Sequence, residues 1–234
     1  METVFDGSAR LGARECRVLC LATPDCDFLH ISGAGAFAIP RKQDCIEVDP
    51  EPGADAGAVE EALLGPAFAL ALARRGVFVL HASAVVLQGR GVVGFLGESG
   101  AGKSTLARLL VEAGDGVALA ADDLLAVEGI LALPHFPQLK LGTAAMSAIL
   151  GLEPRYPLLG LYELTSAEAV GTEALPPASA AALLLRHTIA GRLFAKDLLA
   201  EQLDFAAGLA GRVPVGRLRV PRRMNVGGEV LRWL

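Results

Sequence analysis

The sequence has no apolar run long enough to form a membrane-spanning helix. Its longest apolar stretches cover residues 62–73 and 178–185, and both fall short of the roughly 20 residues that a spanning helix needs. A secretory signal is also missing, because charged residues interrupt the apolar start that such a signal requires, namely Glu2, Asp6 and Arg10. We therefore expect a cytoplasmic protein that is not attached to a membrane.

Excess positive charge and paired cysteines are missing as well. The formal net charge is −5 at pH 7, which argues against a dedicated nucleic-acid binder. The cysteines form no C-x-x-C pair and the four histidines are scattered along the chain, so we do not expect a zinc site. Buried, reduced thiols are the simpler interpretation of the four cysteines, Cys16, Cys20, Cys26 and Cys45.

Aromatic residues are scarce, at 5% of the chain, whereas hydrophobic residues of all kinds make up 53%. Most of that hydrophobic fraction is Ala, Leu and Val, which suits an α/β protein. At 234 residues the chain forms one domain, or one domain with a small appendage, and can bury a substantial core.

The strongest positive signal is a phosphate-binding loop of the form G-x-x-x-x-G-K-[ST] at residues 97–104. An apolar run at 91–96 predicts a buried strand before it, and the spacing of 105–111 predicts a helix after it. In such a loop, backbone N–H groups and the helix dipole bind phosphate, Lys103 reaches the β- and γ-phosphates, and Ser104 takes part in a Mg²⁺ site. We therefore predict that the chain binds ATP with Mg²⁺. The candidate nucleotide-binding residues are Gly97, Glu98, Ser99, Gly100, Ala101, Gly102, Lys103, Ser104 and Thr105.

A hairpin is predicted to bring a histidine to this loop. Residues 77–87 are apolar on both faces, as in a buried strand, and the short connection through Gly89 and Arg90 requires the next strand to be antiparallel. This pairing places His81 opposite Glu98, and His81 shares a face with Ser83 because side chains alternate along a strand. The competing interpretation is a core histidine bonded to a backbone carbonyl.

Two adjacent carboxylates follow the next predicted strand, at residues 117–121. Asp122 and Asp123 stand where such enzymes hold Mg²⁺ or accept a proton from the nucleophile. Neighbouring side chains on a strand point to opposite faces, so both can reach the site only if the strand breaks there. The alternative is a pair of acids in a surface turn.

The remaining patterns predict the domain organisation. Four short apolar runs separated by turn residues, at 16–21, 28–31, 35–39 and 45–48, predict four strands in a small β-rich region over 1–50. A Pro- and Gly-rich linker at 49–57 leads to a second domain over 55–234. In this second domain we expect helices over 58–75, 144–150, 179–194, 196–209 and 229–234, strands over 158–164 and 213–220, and a loop over 131–141 that can face a substrate. The basic tail, either a solvated edge or a contact for phosphate or an acidic partner, comprises Arg212, Arg217, Arg219, Arg222 and Arg223.

Residues 80–85, the hairpin, the phosphate loop and residues 120–123 together resemble the HPr kinase/phosphorylase family. They are most similar to its compact serine kinases found beside peptide natural-product clusters, including lasso peptide kinases. The resemblance covers residues 76–125 and implies a phosphate-loop α/β domain of the HPr kinase/phosphoenolpyruvate carboxykinase type, with a mixed sheet flanked by helices. It also implies that His81, Lys103 and Asp123 are active-site residues, Asp123 as proton acceptor, with Ser104 for magnesium.

The sequence departs from the bifunctional members of that family at two positions. Ala82 stands where they have Gly, and Thr105 stands where they have Glu. These departures favour a kinase without phosphorylase activity. For the family's later glutamate metal ligand and catalytic arginine, Glu163 and Arg186 are candidates.

These observations predict a kinase that phosphorylates a serine hydroxyl of a peptide or small protein, such as a lasso precursor peptide. The candidate catalytic residues are His81, Lys103, Asp122 and Asp123. A kinase of a free small molecule such as serine is an alternative, because it uses the same chemistry. An ABC-type or other phosphate-loop ATPase is a second alternative, although the chain has no L-S-G-G-Q signature and no apolar run ending in Asp-Glu. A homo-oligomer is compatible with the sequence.

Overall fold

The computed structural model describes residues 1–12, 14–136, 148–149, 151–223 and 225–234. The fold is mixed α/β, and its residues pack into two compact units. The first unit comprises Met1–Gly76 and Ile189–Gln202, and the second comprises Val77–Thr188 and Leu203–Leu234. The predicted division into 1–50 and 55–234 stays a prediction; in the structure, the helical stretch after residue 55 packs within the first unit.

The first unit contains an antiparallel sheet whose strands follow one another in chain order. Leu29, Ile31, Phe37 and Ile39 point to one face and are almost fully buried, as the alternation of a half-buried sheet requires. An additional first strand precedes the four that were predicted. The strands are β1 (Glu2–Leu11), β2 (Arg14–Ala22), β3 (Cys26–Ile31), β4 (Gly35–Pro40) and β5 (Glu47–Pro50).

The helical stretch of this unit is α1 (Ala56–Ala62) and α2 (Phe68–Ala73), joined by a π-helical turn at Leu63–Ala67 that contains Pro66. A proline lacks the N–H that a regular helix uses, and the wider turn accommodates it. By length and composition, Ala56–Ala73 could cross a membrane. Residues of the stretch such as Ala62 and Leu70 are instead fully buried in the core of the first unit, which explains the apolar composition.

A buried ion network ties Ile189–Gln202 to the rest of the first unit. Asp27 is 2% exposed, and its carboxylate accepts hydrogen bonds from Arg74 at 2.6 Å and from Arg41 at 3.2 Å. Both arginines also donate to Asp197 at 2.8 Å. Burial opposes ionisation of Asp197, but hydrogen bonds from Arg74 and from the Leu198 backbone outweigh it and lower its pKa to about 2.

The second unit is built on a mixed sheet, and this confirms the predicted sheet type. In the described residues the strand order is β11-β12-β10-β7-β6-β8-β9. Strand β10 is parallel to both β7 and β12, whereas β6 is antiparallel to both β7 and β8. The strands are β6 (Phe78–Leu87), β7 (Gly91–Leu96), β8 (Val117–Glu128), β9 (Leu131–Leu133), β10 (Tyr156–Ser166), β11 (Gly171–Ala174) and β12 (Val215–Val220).

Helices cover both faces of this sheet. Helix α3 (Lys103–Ala113) and the short α6 (Gly227–Leu231) pack on one face through Leu106, Leu110 and Val230. Helix α4 (Pro177–Arg186) and the C-terminal half of α5 (Lys196–Ala210) cover the other face. The sheet is therefore buried on both sides, which explains why its central strands β6 and β7 are largely apolar.

Two predicted details in this unit differ from the structure. The hairpin between β6 and β7 has a three-residue loop rather than two, because the Gln88 N–H donates to the Gly116 carbonyl and the Arg90 N–H closes the turn on Leu87. The observed register therefore differs by one residue from the predicted register, and Ala82 pairs with Leu96. The helix expected over 179–194 ends at Arg186, before Ala190 adopts a left-handed φ of 60°.

The predictions for the segment after β8 are only partly within the described residues. The expected loop over 131–141 begins with the short strand β9. The rest of that loop beyond residue 136, and the helix expected over 144–150 except residues 148–149, lie outside the described residues.

Candidate active site

The predicted strand, loop and helix are present in the order the sequence indicated. Strand β7 ends at Leu96 and α3 begins at Lys103. Gly100 and Gly102 have φ values of 83° and 96°, in the left-handed region that favours glycine. The chain can therefore turn sharply between the strand and the helix, and it does so with a hydrogen bond from the Ala101 N–H to the Glu98 carbonyl at 3.0 Å.

Lys103 lies inside this turn and is only 6% exposed. Its ammonium group donates to the carbonyls of Gly97 at 2.7 Å and Glu98 at 3.2 Å, and it lies 3.1 Å from His81 Nε2. The sequence placed His81 near the mouth of the loop, and the structure brings it into contact with the loop lysine.

His81 connects Lys103 to Asp123. Since a lysine ammonium only donates, we assign His81 Nε2 as an acceptor, which leaves the proton on Nδ1. Nδ1 lies 3.1 Å from Asp123 Oδ1, within hydrogen-bond distance. The imidazole therefore holds the carboxylate of Asp123 on one side and the ammonium group of Lys103 on the other. The backbone N–H of His81 donates to the His187 carbonyl at 2.8 Å, which fixes the strand at this point.

Asp122 accepts two hydroxyl hydrogen bonds on one carboxylate oxygen. Ser104 Oγ lies 2.6 Å and Ser83 Oγ 2.7 Å from Asp122 Oδ1, and the two hydroxyl oxygens are 3.4 Å apart. Ser83 is fully buried, so its hydroxyl needs a partner of this kind. The sequence indicated that Ser83 shares a face with His81, but it did not predict the bond to Asp122.

Both adjacent aspartates face the site because the backbone of β8 is distorted. Asp123 has φ 104°, a left-handed value that is rare for a residue other than glycine. The pairing between β6 and β8 also shifts register between Ala84 and Val85. Strand β8 nevertheless continues to Glu128, so the strand is distorted at Asp123 and does not end at Ala121 as the sequence predicted. A conformation of this kind costs about 1–3 kcal/mol and is concentrated at functional sites.

These side chains line one polar cavity of about 200 Å³. It brings together all four candidate catalytic residues. Of the other candidate nucleotide-binding residues, Ser99, Gly100, Gly102, Ser104 and Thr105 line it. Gly97 and Glu98 instead contact Lys103 through their carbonyls, and Ala101 lines a neighbouring cavity.

The oxygen atoms in the cavity suit Mg²⁺. A hydroxyl and a carboxylate oxygen 2.6 Å apart, on Ser104 and Asp122, are ligands of the type that Mg²⁺ takes alongside phosphate oxygens and water. Among the residues that the structure describes, no group of three or more His, Cys, Asp or Glu could hold a metal ion. A magnesium ion here would depend on the nucleotide for part of its coordination, as is usual for this ion.

Glu163 and Arg186, the candidates for a later metal ligand and a catalytic arginine, do not line the polar cavity. The Glu163 carboxylate bridges Arg186 at 3.2 Å and Arg217 at 3.4 Å. The buried His187 lies 4.0 Å from Glu163, and burial lowers its pKa although Glu163 opposes the shift. No sequence pattern indicates this cluster, because it forms only when β10 pairs with β7 and β12 after long connections.

Comparison with known proteins finds a likeness among solved structures. No protein-family model matches the chain, and no curated protein matches it. Among solved structures, the HPr(Ser) kinase/phosphatase from Coxiella burnetii is similar over 66% of this chain and 96% of that chain, with 16% sequence identity and a TM-score of 0.34. This likeness does not assign a family, and the function is inferred from the geometry of the cavity.

Proposed function

We propose that this chain is an ATP-dependent kinase that transfers a phosphoryl group to a serine hydroxyl of a peptide or small protein. The observation that supports this most is the contact chain from Lys103 through His81 to Asp123, at the start of α3 and in the same cavity as Ser104 and Asp122. Phosphoryl transfer needs positive charge at the phosphates, oxygen ligands for magnesium and a group that positions or deprotonates the nucleophile. The cavity contains side chains suited to each role.

In this proposal the loop and Lys103 bind the phosphates of ATP. Backbone N–H groups of the loop and the dipole of α3 attract the anionic phosphates, and the Lys103 ammonium turns from the loop carbonyls toward the γ-phosphate. Ser104 and Asp122 would hold Mg²⁺, which neutralises charge on the phosphates when it is bound. Ser83 keeps the Asp122 carboxylate oriented through its hydroxyl hydrogen bond.

Asp123 accepts the proton of the serine hydroxyl. As the serine oxygen forms its bond to the γ-phosphorus, the bond from that phosphorus to the bridging oxygen breaks and ADP leaves. The proton of the hydroxyl moves to the Asp123 carboxylate, whose position is fixed by His81 Nδ1–H. His81 therefore positions both the proton acceptor and the lysine.

The proposal extends to the fold type of the protein, its location and its acceptor. We propose a phosphate-loop domain of the HPr kinase/phosphoenolpyruvate carboxykinase type, acting in the cytoplasm without phosphorylase activity. The departures at Ala82 and Thr105 support kinase activity alone. The acceptor is a serine-containing peptide, with a lasso precursor peptide as the first to test.

A mass-shift assay tests the activity. The protein is incubated with ATP, Mg²⁺ and serine-containing peptides, including precursor peptides encoded beside its gene, and with free serine in a separate reaction. We expect a peptide to gain the mass of one phosphoryl group, and Lys103→Ala to lower the rate by about 10²–10³, as loss of a preorganised charged group does.

Three other results are informative. Product from free serine alone would replace the peptide acceptor by a small molecule. Rapid ATP hydrolysis without any phosphorylated product would favour the ATPase alternative. Equal rates for the parent and Lys103→Ala would show that the loop takes no part in transfer.

A further inference from the structure

The sheet of the first unit has an outer face, opposite the face that packs into the core. Leu29 and Phe37 are buried in the core, and because side chains alternate along a strand, Phe28, Ala36 and Ala38 point to the outer face. These three residues line a cavity of about 340 Å³. Phe28 is 42% exposed, so its ring is accessible to a binding partner.

The cavity is a groove along β4, because short side chains lie there between longer ones. In the register of the sheet, Ala38 pairs with Phe28 of β3 on one side and with Glu47 of β5 on the other. Two residues along β4, Ala36 pairs with Asp49. Side chains that are paired in this way stand next to each other on the sheet. The two alanines therefore form the floor of the cavity, which we call the outer groove.

The two walls of the outer groove differ in chemistry. The wall on the β3 side is apolar and consists of Phe28 with Leu21 behind it on β2. The wall on β5 is acidic, with the exposed side chains Glu47 and Asp49. Among the residues that the structure describes, no lysine or arginine lines the groove. A matching ligand must therefore supply both positive charge and apolar side chains.

The spacing of the two acids suits an extended peptide. Glu47 and Asp49 are two residues apart on β5, which is about 6.6 Å at the usual rise of a strand. Alternate side chains of an extended peptide have the same spacing. A peptide that lies along β4 can thus direct one row of side chains at the acids and the other row at Phe28 and Leu21.

Charge disfavours a second copy of this chain as the occupant. A symmetric dimer uses the same patch on both subunits, so the acids of one groove would face a surface that lacks lysine and arginine. The whole chain also has a net charge of −5. A basic peptide meets no such repulsion, and the proposed function already requires a peptide or small protein as acceptor.

We propose that the outer groove binds an extended segment of the acceptor in which basic and apolar residues alternate, apart from the serine that is phosphorylated. This inference rests on the proposed function. Basic side chains of the segment pair with Glu47 and Asp49, and its apolar side chains pack on Phe28 and Leu21. The groove then selects among serine peptides, because the segment raises the effective concentration of the attached serine.

Equilibrium binding without ATP tests the groove itself. The probes are two fluorescently labelled peptides of equal length and composition, one with lysine and leucine in alternation and one with the lysines and leucines in separate blocks. Both are titrated into the parent, into Glu47→Lys/Asp49→Lys and into Phe28→Ala. Should the double variant fail to fold by circular dichroism, Glu47→Gln/Asp49→Asn takes its place.

Two control variants match these changes elsewhere in the first unit. Glu2→Lys/Glu60→Lys alters the net charge equally at two exposed acids that do not line the groove. Leu199→Ala removes an exposed apolar side chain of α5. Neither control should change the affinity for either peptide beyond what the block peptide also shows.

We expect the parent to bind the alternating peptide at least about tenfold more tightly than the block peptide, because only alternation serves both walls at once. Glu47→Lys/Asp49→Lys should lower the affinity for the alternating peptide at least about tenfold, since two attractions become repulsions. Phe28→Ala should lower it about threefold or more through the loss of apolar contact.

Transfer kinetics test the link to the acceptor. The shortest serine peptide that the protein phosphorylates is joined to the alternating segment or to the block segment through Gly/Ser linkers of several lengths. We expect the alternating fusion to have a KM at least about tenfold lower than the block fusion and the same kcat, because tethering raises effective concentration only. Glu47→Lys/Asp49→Lys should remove this difference.

Three results would overturn the inference and leave the proposed function standing. The first is equal affinity of the parent for the two peptides, or affinity that Glu47→Lys/Asp49→Lys leaves unchanged. The second is binding in the groove with no effect on KM at any linker length. The third is a dimer of the parent that Glu47→Lys/Asp49→Lys dissociates, because a second copy would then be the occupant. If no serine peptide were phosphorylated at all, the proposed function would fail, and the assignment of the segment to an acceptor with it.

Discussion

At the scale of single residues, the backbone of Asp123 is the most unusual feature of the site. Its φ of 104° turns its carboxylate to the same cavity as the carboxylate of Asp122. The two acids can then differ in role, since Asp122 receives the hydroxyls of Ser83 and Ser104 while Asp123 faces His81. In the proposed mechanism, this distortion lets Asp122 serve as the magnesium ligand while its neighbour Asp123 serves as the proton acceptor.

His81→Ala tests whether the histidine positions its neighbours. The change removes the contacts to Lys103 and Asp123, so we expect a loss in kcat of about 10²-fold, within the range of a group that assists proton transfer. Affinity for ATP, measured by titration, should change much less.

His30→Ala is the matched control, because His30 is a half-exposed histidine of the first unit that pairs with Glu51. It should leave kcat unchanged. An unchanged kcat in His81→Ala, together with a changed melting temperature, would show that His81 is only a core residue.

At the scale of elements, the Asp197 carboxylate holds the start of α5 to Arg41 and Arg74. Its pKa in the folded protein is about 2, below the ordinary value of 3.8, so its ionised form is stabilised by folding. The stability it contributes is present above about pH 4 and is lost as the pH falls toward 2.

Asp197→Asn should therefore lower the free energy of unfolding at pH 7 by about 1 kcal/mol or less, because solvent screens this half-exposed carboxylate. In urea titrations, the difference between the free energies of unfolding of Asp197→Asn and the parent should shrink as the pH falls from 4 to 2. Asp25→Asn is the control, since Asp25 is an exposed carboxylate paired with Lys42. A constant difference across this pH range would contradict the role given to Asp197.

The elements also show what the sequence could predict. Strand β7, the loop and α3 were predictable because an apolar run, a set of glycines and helical spacing follow one another at 91–111. Strand β1 was missed because it lies at the edge of its sheet, contains Gly7 and buries none of its residues completely, so it shows no apolar alternation. The end of α4 was missed because no Gly or Pro lies between Arg186 and Ala190, and the left-handed residue is an alanine.

The candidate site likewise has parts that the sequence could predict and parts that it could not. The approach of His81 to the loop was predictable from a short hairpin and its antiparallel pairing, and that of Asp122 and Asp123 from their position after the helix that follows the loop. The pairing of Glu163 with Arg186 and Arg217 was not, because those side chains meet only through long connections and parallel strands. The apolar cavity that Ala101 lines was missed for a similar reason, since its walls come from separate parts of the chain.

At the scale of the whole molecule, the first unit is discontinuous in sequence. Met1–Gly76 packs with Ile189–Gln202, and Leu193, Phe194 and Leu198 from the second segment are buried in its core. Asp197 from the same segment joins the network of Asp27, Arg41 and Arg74. The predicted boundary near residue 50 followed composition, whereas this packing depends on tertiary contacts.

A fragment of residues 1–76 should therefore not fold as it does in the whole chain. It lacks the apolar side chains of residues 189–202 and leaves the nearly buried Arg74 without Asp197. We expect circular dichroism to show no cooperative thermal transition for the fragment alone. A cooperative transition at the melting temperature of the parent's first unit would contradict this description of the unit.

The central claim is that the chain is a kinase in which Asp123 accepts the proton of a serine hydroxyl. The most direct measurement is the rate of phosphoryl transfer by Asp123→Asn, which keeps the size of the side chain but removes the base. Asp115→Asn, at an exposed aspartate of the same unit, is the control and should transfer at the parent's rate. We predict that Asp123→Asn binds ATP like the parent but transfers phosphate at least about 10²-fold more slowly; transfer at the parent's rate would contradict the claim.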